Sequence, residues 1–227
     1  MEDLKRGELK KRYDGKNGYS PQRRKIQKKD ITTHLKGEKT LGIYQLKVDN
    51  SIKFGAFDID IKKGIKFESD EDTKEMLKEC VISIYREISS IGFKPYIEFS
   101  GNKGYHIWIF FESPVQSYEV KKVMENCLYN IESDEKIGIE IFPKQTEVNG
   151  EGMGNLIKIP LGIHKKTGKR CLFTDEELNI AEDQKKFLEN IEYTTVNSEE
   201  KNYIEDDRVT EQGYRSSVSR ERKTNSK

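Results

Sequence analysis

Two aspartates stand two residues apart in the segment FGAFDIDI. Side chains at positions i and i+2 of a strand point to the same face, with Cα atoms about 6.6 Å apart at roughly 3.3 Å per residue. Asp58 and Asp60 therefore share one small volume if the segment is a strand. Their carboxylate oxygens suit a hard divalent cation such as Mg²⁺. A solvated strand face, which needs no metal, explains the pair equally well.

A third carboxylate, Glu140, lies between two isoleucines in IGIEIF, again with the alternation of a strand. On a strand next to Asp58 and Asp60 it would complete a set of hard oxygen ligands. An exposed glutamate on a half-buried strand gives the same pattern. The residues alone therefore leave a metal site and a polar strand face both open.

A glycine-containing turn with several hydrogen-bond donors lies in FSGNKGYHIWIFF. Gly101 and Gly104 can adopt the positive φ values at which backbone N–H groups gather around an anion. Ser100 and Lys103 add donors, and His106 opens the strand that follows. The segment is typical of a phosphate-binding turn, although an ordinary β-turn followed by a structural histidine also accommodates it.

Basic side chains come together in the segment IKIPLGIHKKTGKR. Lys158 and His164 are an even number of residues apart and would share a face if the segment stays extended. Pro160 indicates an edge strand or a bulge. With the acids and the glycine turn, these cations describe a site for a metal-bound polyphosphate, as phosphoryl transfer requires. A merely solvated basic hairpin is the alternative.

Charged residues are distributed unevenly along the 227 residues. The first forty contain 13 Lys and Arg against six Asp and Glu, although the net charge of the whole chain is only +1. We interpret residues 1–34 as a basic arm that could hold phosphate backbones, and residues 35–192 as the catalytic domain. Residues 193–227 have few apolar side chains and no period, which predicts a disordered polar tail.

Strand and helix patterns alternate through the predicted domain. Apolar residues at helical spacing predict amphipathic helices in SDEDTKEMLKECVISIYREISSIG and SYEVKKVMENCLYNIES, and TDEELNIAEDQKKFLENI predicts a final capped helix. In the strand after the glycine turn, we expect the face of Ile107 and Ile109 to be the core, rather than the face of His106 and Trp108. The alternation, without a dinucleotide or P-loop signature, predicts an α+β domain.

Three cysteines, Cys80, Cys127 and Cys171, lie far apart and form no CxxC pair. We expect buried thiols in a reducing compartment and no zinc site. No apolar run approaches the 18 residues of a membrane span, and the N-terminus lacks the apolar core of a signal peptide. These observations predict a soluble, cytoplasmic protein that does not interact with a membrane.

The ordered motifs resemble the archaeo-eukaryotic primase superfamily, in particular the primase module of TOTE conflict systems and the related CRISPR-associated primase-polymerases. The matching segments are DID, SGNKGYH, the acid of IEIFPKQ, and GNLIKIPLGIHKKTGKR. HLKGEKTLGIYQL and WIFFESPV are also similar, so the resemblance spans about residues 13–175. Many such modules carry a cysteine-rich zinc motif before HLKGE, where this chain has GYSPQRRKIQKKDITT.

The resemblance implies an α+β fold in which a sheet of RNA-recognition-motif type is joined to a second small α/β unit. It implies that Asp58, Asp60 and Glu140 bind the catalytic Mg²⁺ or Mn²⁺ ions. The residues that it implies for the incoming nucleoside triphosphate, an NTP or a dNTP, are Ser100, Lys103, Gly104, His106, Lys158 and His164. A 3′-hydroxyl would attack the α-phosphate, and pyrophosphate would leave.

The first functional hypothesis is a template-dependent nucleotidyltransferase, a DNA primase or primer-extending polymerase that acts on single-stranded or primed DNA. A separately encoded helicase, nuclease or CRISPR protein is a candidate partner. One alternative is a catalytically inactive nucleotide- or nucleic-acid-binding accessory module of the same fold, but carboxylates without metal repel phosphates. The other is a metal-dependent nuclease, against which the nucleotide-binding lysines and histidines argue.

Overall fold

Two antiparallel sheets and four helices account for the regular structure in the described part of the chain. The computed structural model describes the backbone of residues 6–11 and 17–22 and, with side chains, residues 24–65, 71–147 and 154–196. The strands are β1 (Arg6–Lys11), β2 (Asn17–Gln22), β3 (Leu41–Tyr44), β4 (Ser51–Ile61), β5 (Pro95–Phe99), β6 (Gly104–Gln116), β7 (Ile137–Phe142), β8 (Leu156–Lys158) and β9 (Leu172–Phe173). The helices are α1 (Lys28–Leu35), α2 (Glu71–Ser90), α3 (Ser117–Tyr129) and α4 (Gln184–Glu189).

The larger sheet has the strand order β7-β4-β6-β5-β9, and each of its strands is antiparallel to its neighbours. Its succession β4-α2-β5-β6-α3-β7 is the split βαβ arrangement of ferredoxin-like domains, and four-stranded sheets of this kind form RNA-recognition motifs. A smaller sheet has the order β2-β1-β3-β8. The structure thus confirms the predicted α+β class and the RNA-recognition-motif type of sheet.

Helices α2 and α3 cover one face of the larger sheet, because their apolar residues recur at helical spacing. The buried apolar residues of α2 are Leu77, Cys80, Val81, Ile84 and Ile88. Beneath α3, a Cβ added to Gly55 of β4 would lie 3.1 Å from the sulfur of Met124 and 3.3 Å from Cγ1 of Val120. Strand and helix therefore pack closely there, and a Cβ at this position would require Met124 or Val120 to shift slightly.

The predicted core face of β6 is buried, since Ile107 and Ile109 are 0% exposed. The opposite face is buried as well, which corrects the expectation that only one face is core. Trp108 and His106 are only 1% and 5% exposed, whereas they were expected on the less buried face of β6. Residues from both sheets form the cluster that covers this face: Ile43, Phe54, Ala56, Trp108, Phe142, Ile157 and Phe173. Alternation identifies the residues that share a face, but not the second sheet that covers that face.

The predicted C-terminal helix is mostly irregular, which corrects the interpretation of TDEELNIAEDQKKFLENI. The side chain of Asp175 accepts hydrogen bonds from the backbone N–H groups of Glu177 and Asn179, at 3.0 and 2.8 Å. Aspartate often stabilises such turns in preference to a helix. The helix begins only after Asp183, whose Oδ1 accepts from the Lys186 N–H at 2.9 Å. Asp183, rather than the first residues of the segment, is the N-cap.

The segment interpreted as a basic arm contributes regular structure. Strand β1 pairs with β2 and with β3, and α1 crosses the proposed boundary between residues 34 and 35. Asp30 of α1 is buried, and its two carboxylate oxygens each lie 2.8 Å from a guanidinium nitrogen of Arg24. The division of the chain at residue 34 remains a prediction, and the boundary passes through a helix.

The proposed polar tail starts within packed structure. Thr194 is buried, its N–H donates to the carbonyl of Phe110 at 2.7 Å, and its own carbonyl accepts from Glu112 N–H at 3.0 Å. One compact unit spans Met1–Thr195. Residues 197–227 lie outside the described residues, so the disorder predicted there is untested.

The three cysteines are buried and free, as their positions predict. Burial raises the pKa of the Cys80 thiol to about 11 and that of Cys127 to about 12, and it also raises the pKa of Cys171. In the part of the chain that the structure describes, no helix combines the length and apolar character needed to cross a membrane.

His34 connects α1 to strand β3 and to the loop that follows β8. Its side chain is fully buried, Nδ1 accepts from the Leu41 N–H at 3.0 Å, and Nε2 lies 3.0 Å from the carbonyl of Pro160. A carbonyl can only accept, so Nε2 carries the proton and the ring is neutral. A Cβ on Gly162 would lie 2.2 Å from Cε1 of this ring, so the close approach requires glycine.

Protonation of His34 should destabilise the fold. Burial lowers its pKa from the ordinary value of 6.5, so below that pH the unfolded chain binds a proton that the folded chain does not. We expect the free energy of unfolding to fall as the pH drops below about 6.5, with a smaller fall in His34→Asn, whose Oδ1 can still accept from Leu41. Urea unfolding at several pH values measures both slopes. Equal slopes would contradict the assignment.

Candidate active site

Four polar side chains form one row across the larger sheet. Strand pairing places Asp58 opposite His106 on β6 and opposite Glu140 on β7, and it places His106 opposite Glu98 on β5. Residues directly opposite on antiparallel strands have Cβ atoms about 4.5–5.5 Å apart, and their side chains lie on the same face. The row Glu140-Asp58-His106-Glu98 therefore follows from the register of three strand pairs. Two of the three predicted acids and the predicted histidine are neighbours in it.

Asp60 lies in the next row, between two glycines. Its strand partners are Gly104 on β6 and Gly138 on β7. A Cβ on Gly104 would lie 2.3 Å from the carbonyl oxygen of Ile59 and 3.0 Å from Oδ1 of Asp60. Gly104 is thus needed for a close backbone approach and not for the positive φ that was expected of it. Gly101 does have a positive φ, at 86°.

In the central pair of the row, His106 is buried and Asp58 is partly open to solvent. Nε2 of His106 lies 3.6 Å from Oδ1 of Asp58, and the side chains are 6% and 33% exposed. Asp60 is also half-buried, and burial is the main reason that its pKa is raised; the nearby Lys103 opposes this and the Asp58 carboxylate adds to it. A raised pKa in a carboxylate next to another carboxylate is the electrostatic situation that a bound cation relieves.

Glu140 points to a lysine in this structure. Its Oε2 lies 2.7 Å from Nζ of Lys144. Among the residues that the structure describes, no three His, Cys, Asp or Glu side chains converge closely enough to hold a metal ion. The donor set nevertheless fits a hard divalent cation, because Asp58 and Asp60 share a face and Glu140 is directly opposite Asp58. Binding through all three carboxylates requires Glu140 to leave Lys144.

The glycine turn and the basic segment after β8 meet beside the row. Nζ of Lys158 donates to the carbonyl of Ser100 at 2.9 Å and lies 2.9 Å from the sulfur of Cys171. A Cβ on Gly101 would lie 2.7 Å from Cβ of His164. Two predicted sets of nucleotide-binding residues, one before β6 and one after β8, are therefore in direct contact. Lys158 lies beside the turn as expected, but its amine is directed to protein acceptors.

Lys103 lies against the end of β4. Its Nζ donates to the carbonyls of Ile61 and Lys62, the latter at 3.1 Å, and its charge lowers the pKa of Asp60 against the effect of burial. The predicted role of Lys103 as a phosphate ligand requires the side chain to turn away from these carbonyls. Its present contacts place its charge next to the acids and not at the Ser100 end of the turn.

His164 lies in a turn and not in an extended strand, which corrects the expectation that it shares a face with Lys158. Strand β8 ends at Lys158, and the His164 N–H donates to the carbonyl of Lys169 while its carbonyl accepts from Gly168 N–H, both at 2.8 Å. Burial lowers the pKa of His164, and the charges of Lys158 and Lys166 lower it further. A bound anion would act in the opposite direction.

Sequence analysis missed Glu98, the fourth member of the row. It is fully buried, and its oxygens lie 2.8 Å from Nδ1 of His106, 2.9 Å from Nε1 of Trp108 and 3.1 Å from the backbone nitrogen of Leu161. A charged residue is rarely fully buried without partners. The available signal was its place on β5: an acid inside the apolar run PYIEF, shortly before a strand with a histidine near its start.

The chain belongs to the family of archaeo-eukaryotic primase domains of the TOTE conflict system. The model of this family matches residues 3–202. The motif-based resemblance is thereby confirmed. The match includes the residues interpreted as an N-terminal arm. No curated protein matches the chain by sequence.

Two solved structures are similar to this chain. The archaeo-eukaryotic primase domain of the cyanophage S-2L primase-polymerase is 10% identical over 82% of this chain and 88% of its own, with a TM-score of 0.42. The polymerase domain of Mycobacterium tuberculosis ligase D, in complex with DNA, is 13% identical over 92% of this chain and 74% of its own, with a TM-score of 0.45.

The two glycines beside Asp60 should respond differently to the same substitution. Gly104→Ala would press Cβ against backbone, which cannot yield without shifting β4, and we expect a loss of about 1–3 kcal/mol in the free energy of unfolding. Gly138→Ala meets only ordinary contacts, the nearest at 3.6 Å, and is the matched control. Chemical denaturation measures both variants. Equal losses would contradict the close approach at Gly104.

Proposed function

We propose that the chain is a template-dependent nucleotidyltransferase, a DNA primase, a primer-extending polymerase or both. The observation that carries the proposal is the row in which Asp58 lies between His106 and Glu140, with Asp60 in the adjoining row. The acidic side chains of the row lie next to a histidine and close to a turn with several donors, which supports the proposal. Membership in the archaeo-eukaryotic primase domain family supports the same class of reaction.

In this proposal the acidic residues would bind metal ions, and the basic and polar residues would bind the triphosphate. Asp58, Asp60 and Glu140 would hold divalent cations, Mg²⁺ or Mn²⁺, which when bound neutralise phosphate charge and align the attacking hydroxyl with the phosphorus. The donors proposed for the triphosphate are Ser100, Lys103, Gly104, His106, Lys158 and His164. The amine of Lys158 donates to the carbonyl of Ser100, and that of Lys103 donates to the carbonyl of Ile61. The charged oxygens of an incoming polyphosphate are stronger acceptors than these carbonyls and would compete with them for the lysine amines.

The apposition of the turn and the basic segment also supports a single nucleotide site. Thr167 Oγ1 donates to the carbonyl of Gly101, and Lys158 donates to that of Ser100, so the two segments are fastened by hydrogen bonds. Donors held in place before the substrate arrives lower the entropic cost of orienting it. The segments need not assemble around the nucleotide from separate positions.

The second candidate is an accessory module that binds nucleotide or nucleic acid without catalysis. The ion pair between Glu140 and Lys144, at 2.7 Å, favours it, because a carboxylate neutralised by lysine has no need of a metal. The exposed acid Glu140 lies in an ion pair of modest strength in water. Metal and nucleotide together can therefore displace Lys144 if the chain is an enzyme.

Substitution of the aspartates separates the two candidates. We expect Asp58→Asn and Asp60→Asn each to lower nucleotide incorporation by about a hundredfold or more, since metal-mediated charge stabilisation is worth several kcal/mol. Incorporation is measured on single-stranded DNA with and without a primer, using NTPs and dNTPs with Mg²⁺ or Mn²⁺.

Asp72→Asn is the matched control, because this aspartate is exposed on α2 and on the far side of the sheet's helix layer. Full incorporation by both site variants would exclude these aspartates as metal ligands. If the wild type incorporates nothing yet binds triphosphate or DNA, the accessory module is the better description.

A nucleic-acid template needs cations outside the nucleotide site. Lys28 and Lys29 are exposed in the first turn of α1, within the segment interpreted as basic. Deleting this segment is a poor test, because β1 pairs with β3 of the smaller sheet and its loss would expose that strand. Charge-removing substitutions preserve the strands.

We expect Lys28→Gln/Lys29→Gln to weaken binding of a single-stranded oligonucleotide and to reduce the slope of log K against log salt by up to about 1.4, at about 0.7 for each lost contact. Fluorescence anisotropy across a salt series measures the slope. Lys185→Gln/Lys186→Gln on α4 removes the same charge and is the control. An identical effect of both pairs would show that only net charge matters.

A further inference from the structure

Glu98 is the most completely buried charged group in the described part of the chain, and the proposed chemistry does not use it. Its side chain is fully buried, and it lies at the end of the row that begins with Glu140. Burial of a carboxylate is costly unless several donors satisfy its oxygens. Here three N–H groups do so: those of His106 and Leu161, which lie in the two halves of the proposed nucleotide site, and that of Trp108, which lies in the apolar cluster beside them.

The hydrogen bonds to Glu98 determine which ring nitrogen of His106 carries a proton. Oε2 of Glu98 accepts from Nε1 of Trp108, which can only donate, and lies 2.8 Å from Nδ1 of His106. Since the carboxylate offers no proton, Nδ1 of His106 must carry the one between them. The ring is then held with Nε2 facing Asp58 and the open side of the row. A hydrogen bond at one ring nitrogen sets the function of the other.

The other oxygen of Glu98 holds the segment that follows β8. Oε1 accepts from the Leu161 N–H at 3.1 Å, and Leu161 has a φ of 65°. A left-handed conformation is unfavourable for leucine and persists only where the surroundings enforce it. This turn follows Lys158, which pairs with Gly42 of β3, and leads to His164, so its geometry determines where His164 lies relative to Lys158 and the glycine turn.

We propose that Glu98 is a positioning residue that aligns both halves of the nucleotide site, His106 through Oε2 and the Lys158–His164 segment through Oε1. The expected effect on nucleotide binding rests on the proposed function, because the aligned groups are the proposed triphosphate donors. Glu98 touches neither substrate nor metal. It acts by fixing the ring of one histidine and the backbone of one turn.

Glu98→Gln tests the proposal with little change in shape. Glutamine cannot accept from three N–H groups, because its amide nitrogen is itself a donor. We expect either the protonated nitrogen of the His106 ring to change or the Leu161 amide to exchange faster with solvent. The chain has three histidines, so long-range ¹H–¹⁵N spectra contain few ring signals, and His106→Asn assigns the relevant one.

Binding of a non-hydrolysable nucleoside triphosphate supplies the functional readout. We expect Glu98→Gln to raise its Kd by about tenfold or more, as the loss of a charge-assisted hydrogen bond does. Trp108→Phe is the matched control, because it removes one hydrogen bond from the same carboxylate but leaves those to His106 and Leu161. We expect its Kd to stay near that of the wild type.

Several results would overturn the inference. One is a wild-type His106 ring without a proton on Nδ1, which requires no variant and is informative even if Glu98→Gln does not fold. Another is an unchanged His106 ring and unchanged Leu161 exchange in Glu98→Gln. A third is an unchanged triphosphate Kd despite altered reporters. If the wild type incorporates no nucleotide, the proposed function fails, while the ring and exchange measurements still decide the role of Glu98.

Discussion

The register of the antiparallel pairs around β4 is the constraint on which the site depends. Asp58 faces His106 on one side and Glu140 on the other because β6 and β7 both pair with β4 in a single register there. A slip of one residue would turn each side chain to the opposite face, toward the helices. The buried residues of that face, among them Phe57 and Ile59, oppose such a slip. The apolar core thus fixes the position of the polar row.

The smaller sheet and its loops complete the site by approaching the same face. The segment after β8 is attached to α1 by three contacts. The Pro160 carbonyl contacts His34, and the Gly162 backbone packs on the ring of that histidine. The guanidinium of Arg170 donates to the Leu35 carbonyl. The basic segment is consequently fixed to two supports, the glycine turn and the N-terminal helix. Its position depends on residues far away in the sequence.

The sequence predicted that Asp58 and Asp60 share a strand face, that a turn follows β5, and that the fold is α+β, because each has a local signature. The roles of these residues as metal and phosphate ligands stay predictions. Asp58 and Asp60 alternate on a strand, and Gly101 marks a turn that requires a positive φ. Glu140 was expected on a strand next to the two aspartates, but the other partners were not predictable, since register and the covering sheet are long-range features. Glu98 shows this limit: a buried acid in an apolar run is conspicuous, but its three donors come from β6 and from a turn about sixty residues later.

The buried thiols make the chain suitable for site-specific labelling. Cys80, Cys127 and Cys171 are all enclosed, and the first two have pKa values of about 11 and 12, so little thiolate is present at neutral pH. Thiolate is the form that reacts with electrophiles. A single cysteine introduced on the exposed surface would therefore be the preferred target of a maleimide dye. Two such cysteines would carry a pair of dyes, and a distance within the chain could then be followed by fluorescence without first removing its own cysteines.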